Sequence, residues 1–240
     1  MPFSRLAVKF GILLVFLLAC GTALAQDSRR VHVVAYALWG DQSVFRSEAT
    51  LAADIVLRKY AHGDKLVRAN TRRDGPATAE QLVSDLQRIG AKADDENDVL
   101  FLILTSHGDT QGIGIVTPRR EQLLPPAGLK ALIDESGIRH RVVIISACYS
   151  GVFVPALADP NTLVITAADA DHSSFGCRDG AKWTYFGEAL FDQAMRRGGG
   201  LKDVFATARS LIAEREAAEG FPPSNPQMAG GENVLPLLDQ

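Results

Sequence analysis

The chain predicts an α/β fold built on a mostly parallel sheet, and three observations carry that prediction. Residues 99–104 and 142–145 are short, unbroken apolar runs rich in β-branched side chains, the pattern of strands buried on both faces. Both runs end in small and polar residues, Thr105-Ser106-His107-Gly108 after the first and Ser146-Ala147-Cys148-Tyr149-Ser150-Gly151 after the second. Around them, strand-like and helix-like stretches alternate, which selects parallel α/β architecture over all-α or all-β.

The elements follow in order. Residues 31–38 read as a first strand, and 44–60 as a helix with Ala49, Ala52, Ala53, Val56 and Leu57 at helical spacing. Residues 65–69 are a weaker strand. Thr78-Ala79-Glu80-Gln81 is a capping-box pattern opening a helix whose face is Leu82, Leu86 and Ile89, and Gly90 closes it. After the strand reaching Thr105, residues 108–118 are glycine-rich and predict a small hairpin. A helix over 126–135 then returns the chain to the strand reaching Ala147. Residues 163–167 form another strand, and 169–183 lack periodicity, so a long pocket-shaping loop is expected there. Two helices, 186–196 and 201–218, flank the break at Gly198-Gly199-Gly200. The Pro- and Gly-rich tail from Phe221 is expected to run over the surface with at most a short strand.

The first residues belong outside the fold. Arg5 and Lys9 precede an apolar stretch over 10–19, and Ala23-Leu24-Ala25 fits a signal-peptidase site, so residues 1–25 read as a signal peptide and 26–240 as one domain. Export to a periplasmic or extracellular space is expected. Two alternatives tether the protein to a membrane instead: an uncleaved anchor, or lipidation of Cys20 in the lipobox-like Leu17-Leu18-Ala19-Cys20. The formal net charge is −3 and becomes more acidic once Arg5 and Lys9 are removed. With no basic run or stripe, nucleic acid is not an expected partner. Three cysteines are too few for a disulfide scaffold, although a Cys148–Cys177 bridge is one reading of the two that survive cleavage.

The chemistry gathers at two strand ends. In open α/β sheets the carboxyl ends of adjacent parallel strands share a crevice, so His107 and Cys148 can meet there as base and nucleophile. A thiol attacks as thiolate, which an imidazole and the start of a following helix would both favour. An imidazole titrates near neutrality and can return the proton to a leaving amine. Gly108, without a side chain, lets its N–H approach a carbonyl oxygen and form an oxyanion hole with the N–H of Cys148. Taken alone, His107 could cap backbone groups and Cys148 could be a small buried hydrophobe. Their pairing is what points to catalysis. Other chemistries fit less well. Cys148 stands where a Gly-x-Ser-x-Gly elbow centred on Ser150 needs its first glycine, so Ser150 is not that nucleophile. His32, His62, His140 and His172 have no metal-ligand spacing, and Gly112-Ile113-Gly114 lacks the rest of a dinucleotide fingerprint.

These motifs also carry a family likeness. Residues 97–101, Thr105-Ser106-His107-Gly108, Ala147-Cys148-Tyr149-Ser150-Gly151, Thr166-Ala167-Ala168, Ser173-Ser174-Phe175-Gly176-Cys177 and Thr184-Tyr185-Phe186-Gly187-Glu188 resemble, in order and spacing, the legumain-like cysteine peptidases, family C13 of the caspase-like clan. The resemblance spans about 31–195. It implies a caspase-like three-layer sandwich, a central sheet of about six strands flanked by helices, and a Cys148–His107 dyad that needs neither metal nor organic cofactor. Peptide or protein substrates are the implied partners. By the same match Arg46, Ser146, Ser173, Ser174 and Glu188 would line the specificity pocket. Two positions differ from the eukaryotic asparaginyl members, which have Glu in place of Ser146 and Asp in place of Glu188. Arg46 with Glu188 could grip both ends of a carboxamide, and Glu188 alone would favour a basic side chain. The expectation is an exported cysteine endopeptidase or transpeptidase of bacterial type, with a catalytically silent caspase-like binding module as the alternative. The short tail leaves no room for the family's C-terminal inhibitory domain, so control by localisation or partners is expected.

Overall fold

A computed structural model describes residues 29–60 and 62–239, together with Met1. The expected signal segment and Cys20 lie outside the described residues. The described elements begin with β1 (Val31–Ala37), α1 (Ser43–Tyr60), β2 (Lys65–Ala69), α2 (Ala79–Gly90) and β3 (Val99–Thr105). A small sheet follows, β4 (Gly108–Asp109), β5 (Gly112–Thr117) and β6 (Arg120–Leu124), and then α3 (Pro126–Asp134) and β7 (His140–Ser146). A 3-10 turn (Ser150–Phe153) leads into α4 (Val154–Leu157) and β8 (Thr162–Thr166). After a long loop come α5 (Tyr185–Gly187), continued as a π-wound stretch (Glu188–Met195), α6 (Leu201–Glu219), β9 (Gln227–Ala229) and α7 (Leu235–Leu238).

The central sheet has six strands in the order β2-β1-β3-β7-β8-β9, parallel except for β9, which pairs antiparallel with β8. Strand residues alternate between two apolar layers because successive side chains point to opposite faces. Val33, Phe101, Ile103 and Ile144 pack under α1, the π-wound stretch, α6 and α7. Tyr36, Leu100, Leu102 and Val143 face α2, α3 and α4. Helices on both faces of a parallel sheet make the three-layer α/β sandwich expected from the sequence. The strands β1, β3, β7 and β8 are buried along their length except at Arg141, and their central residues are apolar, as two covered faces require. At α2, the Thr78 hydroxyl accepts from the Gln81 N–H at 3.1 Å, the cap that the sequence signalled.

Two segments depart from expectation. The hairpin after His107 is a three-stranded sheet that extends to Leu124, because Arg120–Leu124 pairs antiparallel with β5 in full register. The tail does not skirt the surface. β9 closes one edge of the central sheet, and Val234, Leu235 and Leu238 are buried in the core under α6. Their burial removes apolar area from water that a surface path would leave exposed.

Candidate active site

Five parallel strands deliver their carboxyl ends to one rim, and the candidate residues lie on the loops that leave it. Thr105 at the end of β3 is in register with Ser146 at the end of β7, so His107 and Cys148 each follow two residues beyond a paired position. The Ser106 N–H donates to the Ser146 carbonyl at 3.1 Å and continues the ladder one step past the strand. Its hydroxyl donates to the Gly114 carbonyl at 2.6 Å, and the Gly114 N–H donates back to the His107 carbonyl at 2.9 Å. The small sheet is thereby locked against the strand end, with His107 at the junction.

Gly108 is glycine for a steric reason. A Cβ at this position would stand 2.7 Å from the Cys148 carbonyl oxygen and 3.2 Å from the Ala147 Cβ, so the backbone after the histidine touches the backbone of the cysteine.

The imidazole is held on three sides. Trp39 and Phe45 meet it edge-on at ring-centroid distances of 4.7 and 5.0 Å. On the third side Nε2 faces the side-chain oxygen of Gln42 in a short hydrogen bond. The Gln42 amide donates to the Cys177 carbonyl at 2.9 Å. Since the NH2 group is committed there, the oxygen is what remains for His107, and an oxygen only accepts. His107 therefore carries its proton on Nε2 and leaves Nδ1 as the basic nitrogen. Burial pushes the imidazole pKa below the ordinary histidine value and favours this neutral form.

Cys148 is half-buried and free, and so is Cys177, so the bridge alternative is not formed. The Cys148 thiol donates to the Ser174 carbonyl at 3.3 Å, with the Ser174 hydroxyl 3.8 Å away. The next residue, Tyr149, adopts a left-handed backbone (φ 54°) as the chain enters the 3-10 turn, and its N–H donates to the His172 carbonyl at 2.9 Å. The helix after Cys148 is thus a short 3-10 turn followed by one α-turn, which supplies less dipole than a full helix would.

The loop between β8 and α5 is the common platform. Its backbone carbonyls at 172, 174 and 177 receive Tyr149, Cys148 and Gln42 in turn. Its own shape is fixed at both ends. Asp169 pairs with His172 at 2.7 Å and accepts from the Asn225 amide at 3.0 Å, while Asp179 accepts from the Ser43 N–H and hydroxyl at 2.8 and 2.7 Å. Gly176 turns the loop at φ 89°, where a Cβ would collide with the Tyr185 ring.

Beneath the rim lies a carboxylate that sequence reading misses. Glu48 of α1 is fully buried and accepts three hydrogen bonds, from the Thr105 hydroxyl at 2.9 Å, the Thr184 N–H at 2.9 Å and the Thr184 hydroxyl at 2.7 Å. It joins the β3 end to the far end of the platform loop. The signal was available, because Glu48 falls on the apolar face of α1 beside Phe45, Ala49 and Ala52, where a carboxylate needs partners. Gln42 is the other omission. It follows Trp39-Gly40 at the end of β1, on the same rim as His107.

A family model described as the peptidase C13 family matches residues 83–234, more than half of the chain. The chain belongs to the peptidase C13 family. Among solved structures it is similar to caspase-1 from Spodoptera frugiperda, at 11% identity over 85% of this chain and 86% of that one, with a TM-score of 0.58, and this likeness establishes the caspase-like fold. No curated protein matches it. Membership in family C13 makes the chain a cysteine peptidase at the family level.

Within this C13 chain, the residues proposed for the specificity pocket do not all converge. Ser174 contacts the sulfur, and Ser173 precedes it on the platform. Ser146 is buried and its hydroxyl faces the Thr184 hydroxyl at 3.3 Å, so it belongs to the floor of the rim. Arg46 is exposed in a cleft beside Gln42, whereas Glu188 pairs with Arg215 at 2.7 Å in a separate groove beside Tyr185. The joint Arg46–Glu188 grip is therefore not assembled, because Arg46 of α1 and Glu188 of the π-wound stretch line different clefts and Glu188 is paired with Arg215. Among the described residues, no group of three or more His, Cys, Asp or Glu side chains is placed to hold a metal ion.

Proposed function

We propose that the protein is a cysteine endopeptidase acting through a Cys148–His107 dyad. The observation that carries this reading is the contact of Gly108 with the Cys148 backbone, 2.7 Å from a Cβ position to the carbonyl oxygen, next to an imidazole whose tautomer leaves Nδ1 free. In the first step the Cys148 thiol proton passes to His107 Nδ1 as sulfur bonds to the substrate carbonyl carbon. The amides of Gly108 and Cys148 stabilise the oxyanion. Collapse of the intermediate breaks the C–N bond, and His107 gives its proton to the departing amine. Water then attacks the thioester, His107 takes its proton, and the C–S bond breaks to restore the thiol. An amine in place of water would make the outcome ligation.

The thiol donates to Ser174 in the resting state, so substrate entry has to turn it toward the imidazole, an adjustment common in unliganded sites. That same contact is what a catalytically silent binding module would retain. We further propose export, with residues 1–25 as the removed signal segment, and a single peptidase domain thereafter.

The test is covalent labelling with a peptide carrying an electrophile in place of the scissile bond, followed by a fluorogenic peptide library. Adduct mass on Cys148, absent in Cys148→Ala and in unfolded protein, with cleavage lost in His107→Ala, supports the dyad. Folded protein that takes no label and cleaves no peptide of the library is a binding module.

A further inference from the structure

The Gln42–His107 contact is a ridge between two clefts of different charge. On the β2 side, a cleft of about 420 Å3 is lined by Gln42 and by three arginines, Arg46, Arg72 and Arg73, against two aspartates, Asp41 and Asp179. Asp179 is already engaged by Ser43 and lies 3.8 Å from Arg72, whose guanidinium also donates to the Asp41 carbonyl at 2.8 Å. The guanidinium groups of Arg46 and Arg73 make no hydrogen bond or ion pair among the described residues. Two cations on this wall are thus available to a ligand. On the other side, a cleft of about 460 Å3 is lined by Trp39, His107, Asp109, Glu121 and Leu123, with no lysine or arginine among the described residues that line it. One Asp109 oxygen accepts from the Gln111 and Gly112 N–H groups, while Glu121 is exposed at the end of an apolar wall made by Trp39 and by Leu123, which is 42% exposed.

Trp39 lines one cleft and Gly40 the other, so one peptide unit separates the two linings, and the Trp39 ring stands 4.7 Å from the imidazole. An extended chain advances roughly 3.3 Å per residue, so a substrate lying across the imidazole presents its next few side chains to the clefts in turn. We infer that the site takes peptides of mixed charge, with an acidic side chain held by Arg46 and Arg73 and, on the other side of the scissile bond, a lysine or arginine whose aliphatic stem lies on Trp39 and Leu123 and whose charge meets Glu121. This rests on the peptidase reading of the same site and adds the charge class of its substrate. A long cationic side chain suits the second cleft because its stem can cover apolar surface while its charge stays in water.

The experiment uses the exported-length chain and two peptides that share one cleavable centre. One carries Glu before it and Lys after it, and the other carries the reverse. One order is cleaved with a kcat/KM about tenfold above the other, since each exposed ion pair contributes up to several-fold and each like-charge contact in the wrong order subtracts a similar factor. The preference shrinks in salt near 1 M, where the Debye length is about 3 Å. It also collapses toward unity in the Arg46→Glu/Arg73→Glu double variant. The readout is a ratio between two peptides, so partial misfolding does not move it. Equal rates for both orders, or a ratio unchanged in the double variant, overturn the inference. If neither peptide is cleaved, the same pair is measured by fluorescence anisotropy on Cys148→Ala. A binding preference that the double variant abolishes upholds the charged clefts while the peptidase reading fails, and equal or absent binding ends both.

Discussion

The side-chain amide of Gln42 donates to the backbone carbonyl of Cys177 at 2.9 Å, and this one bond sets which nitrogen of His107 is basic. Gln42→Ala should lower kcat about threefold to tenfold, the worth of one hydrogen bond, with little change in KM. Gln42→Glu places a carboxylate on Nε2, raises the imidazole pKa and moves the acid limb of the pH–rate profile upward. An acid limb that stays in place in Gln42→Glu would remove Gln42 from the machinery.

Burial depresses the His107 pKa, so the imidazole stays neutral to lower pH than an ordinary histidine near 6.5. The acid limb of kcat/KM attributable to the imidazole should therefore fall below pH 6.5. Stability follows the same sign. As pH drops through about 6.5 the unfolded chain takes up the proton first, so the folded state loses stability from there down to the lower folded pKa. His107→Gln should flatten that part of the stability curve, measured as urea midpoints from pH 7 to pH 5.

Glu48 accepts from three donors in a dry site. Glu48→Ala leaves Thr184 without its acceptor and should cost about 3 kcal/mol, seen as a Tm lower by roughly 6–12 °C. Glu48→Gln should be much milder, because its oxygen can keep the Thr184 pair while its NH2 group donates to the Thr105 hydroxyl. Equal losses in the two variants would contradict this account.

Gly108 has no room for a methyl group. A Cβ there lies 2.7 Å from a backbone carbonyl oxygen, which cannot swing away as a side-chain tip can. Gly108→Ala should displace the rim by several tenths of an ångström and reduce kcat/KM by about 10²-fold, with circular dichroism of the folded protein retained.

The tail is part of the core. Removing everything after Gly220 strips β9 and exposes the positions that Val234, Leu235 and Leu238 cover. At about 1.5–3 kcal/mol per buried aliphatic side chain, the truncated protein should lose roughly 5 kcal/mol or more. A truncated chain with an unchanged Tm would show that the tail contributes no packing.

Much of the molecule was legible because local rules and global packing agree. The largely apolar strands 31–37 and 99–105 need two covered faces, and Thr78 announces the start of α2. The strand Arg120–Leu124 was not legible, since Leu124 is its only buried residue and its polar side chains face water. The tail was misread for a related reason. Proline and glycine mark turns, but they do not reveal that the few apolar residues between them have a core to enter.

The sequence by itself determined a parallel α/β sandwich of family C13 type, with a histidine and a cysteine each just beyond a buried strand. These are properties of local pattern, and they survive without knowing what packs on what. Only the tertiary structure decided that Gln42 orients the imidazole, that Glu48 is the buried anchor, and that Arg46 and Glu188 belong to different clefts. Each of those depends on side chains dozens of residues apart reaching one another through a packed interior, and a one-dimensional spacing does not encode which way a side chain leaves its backbone.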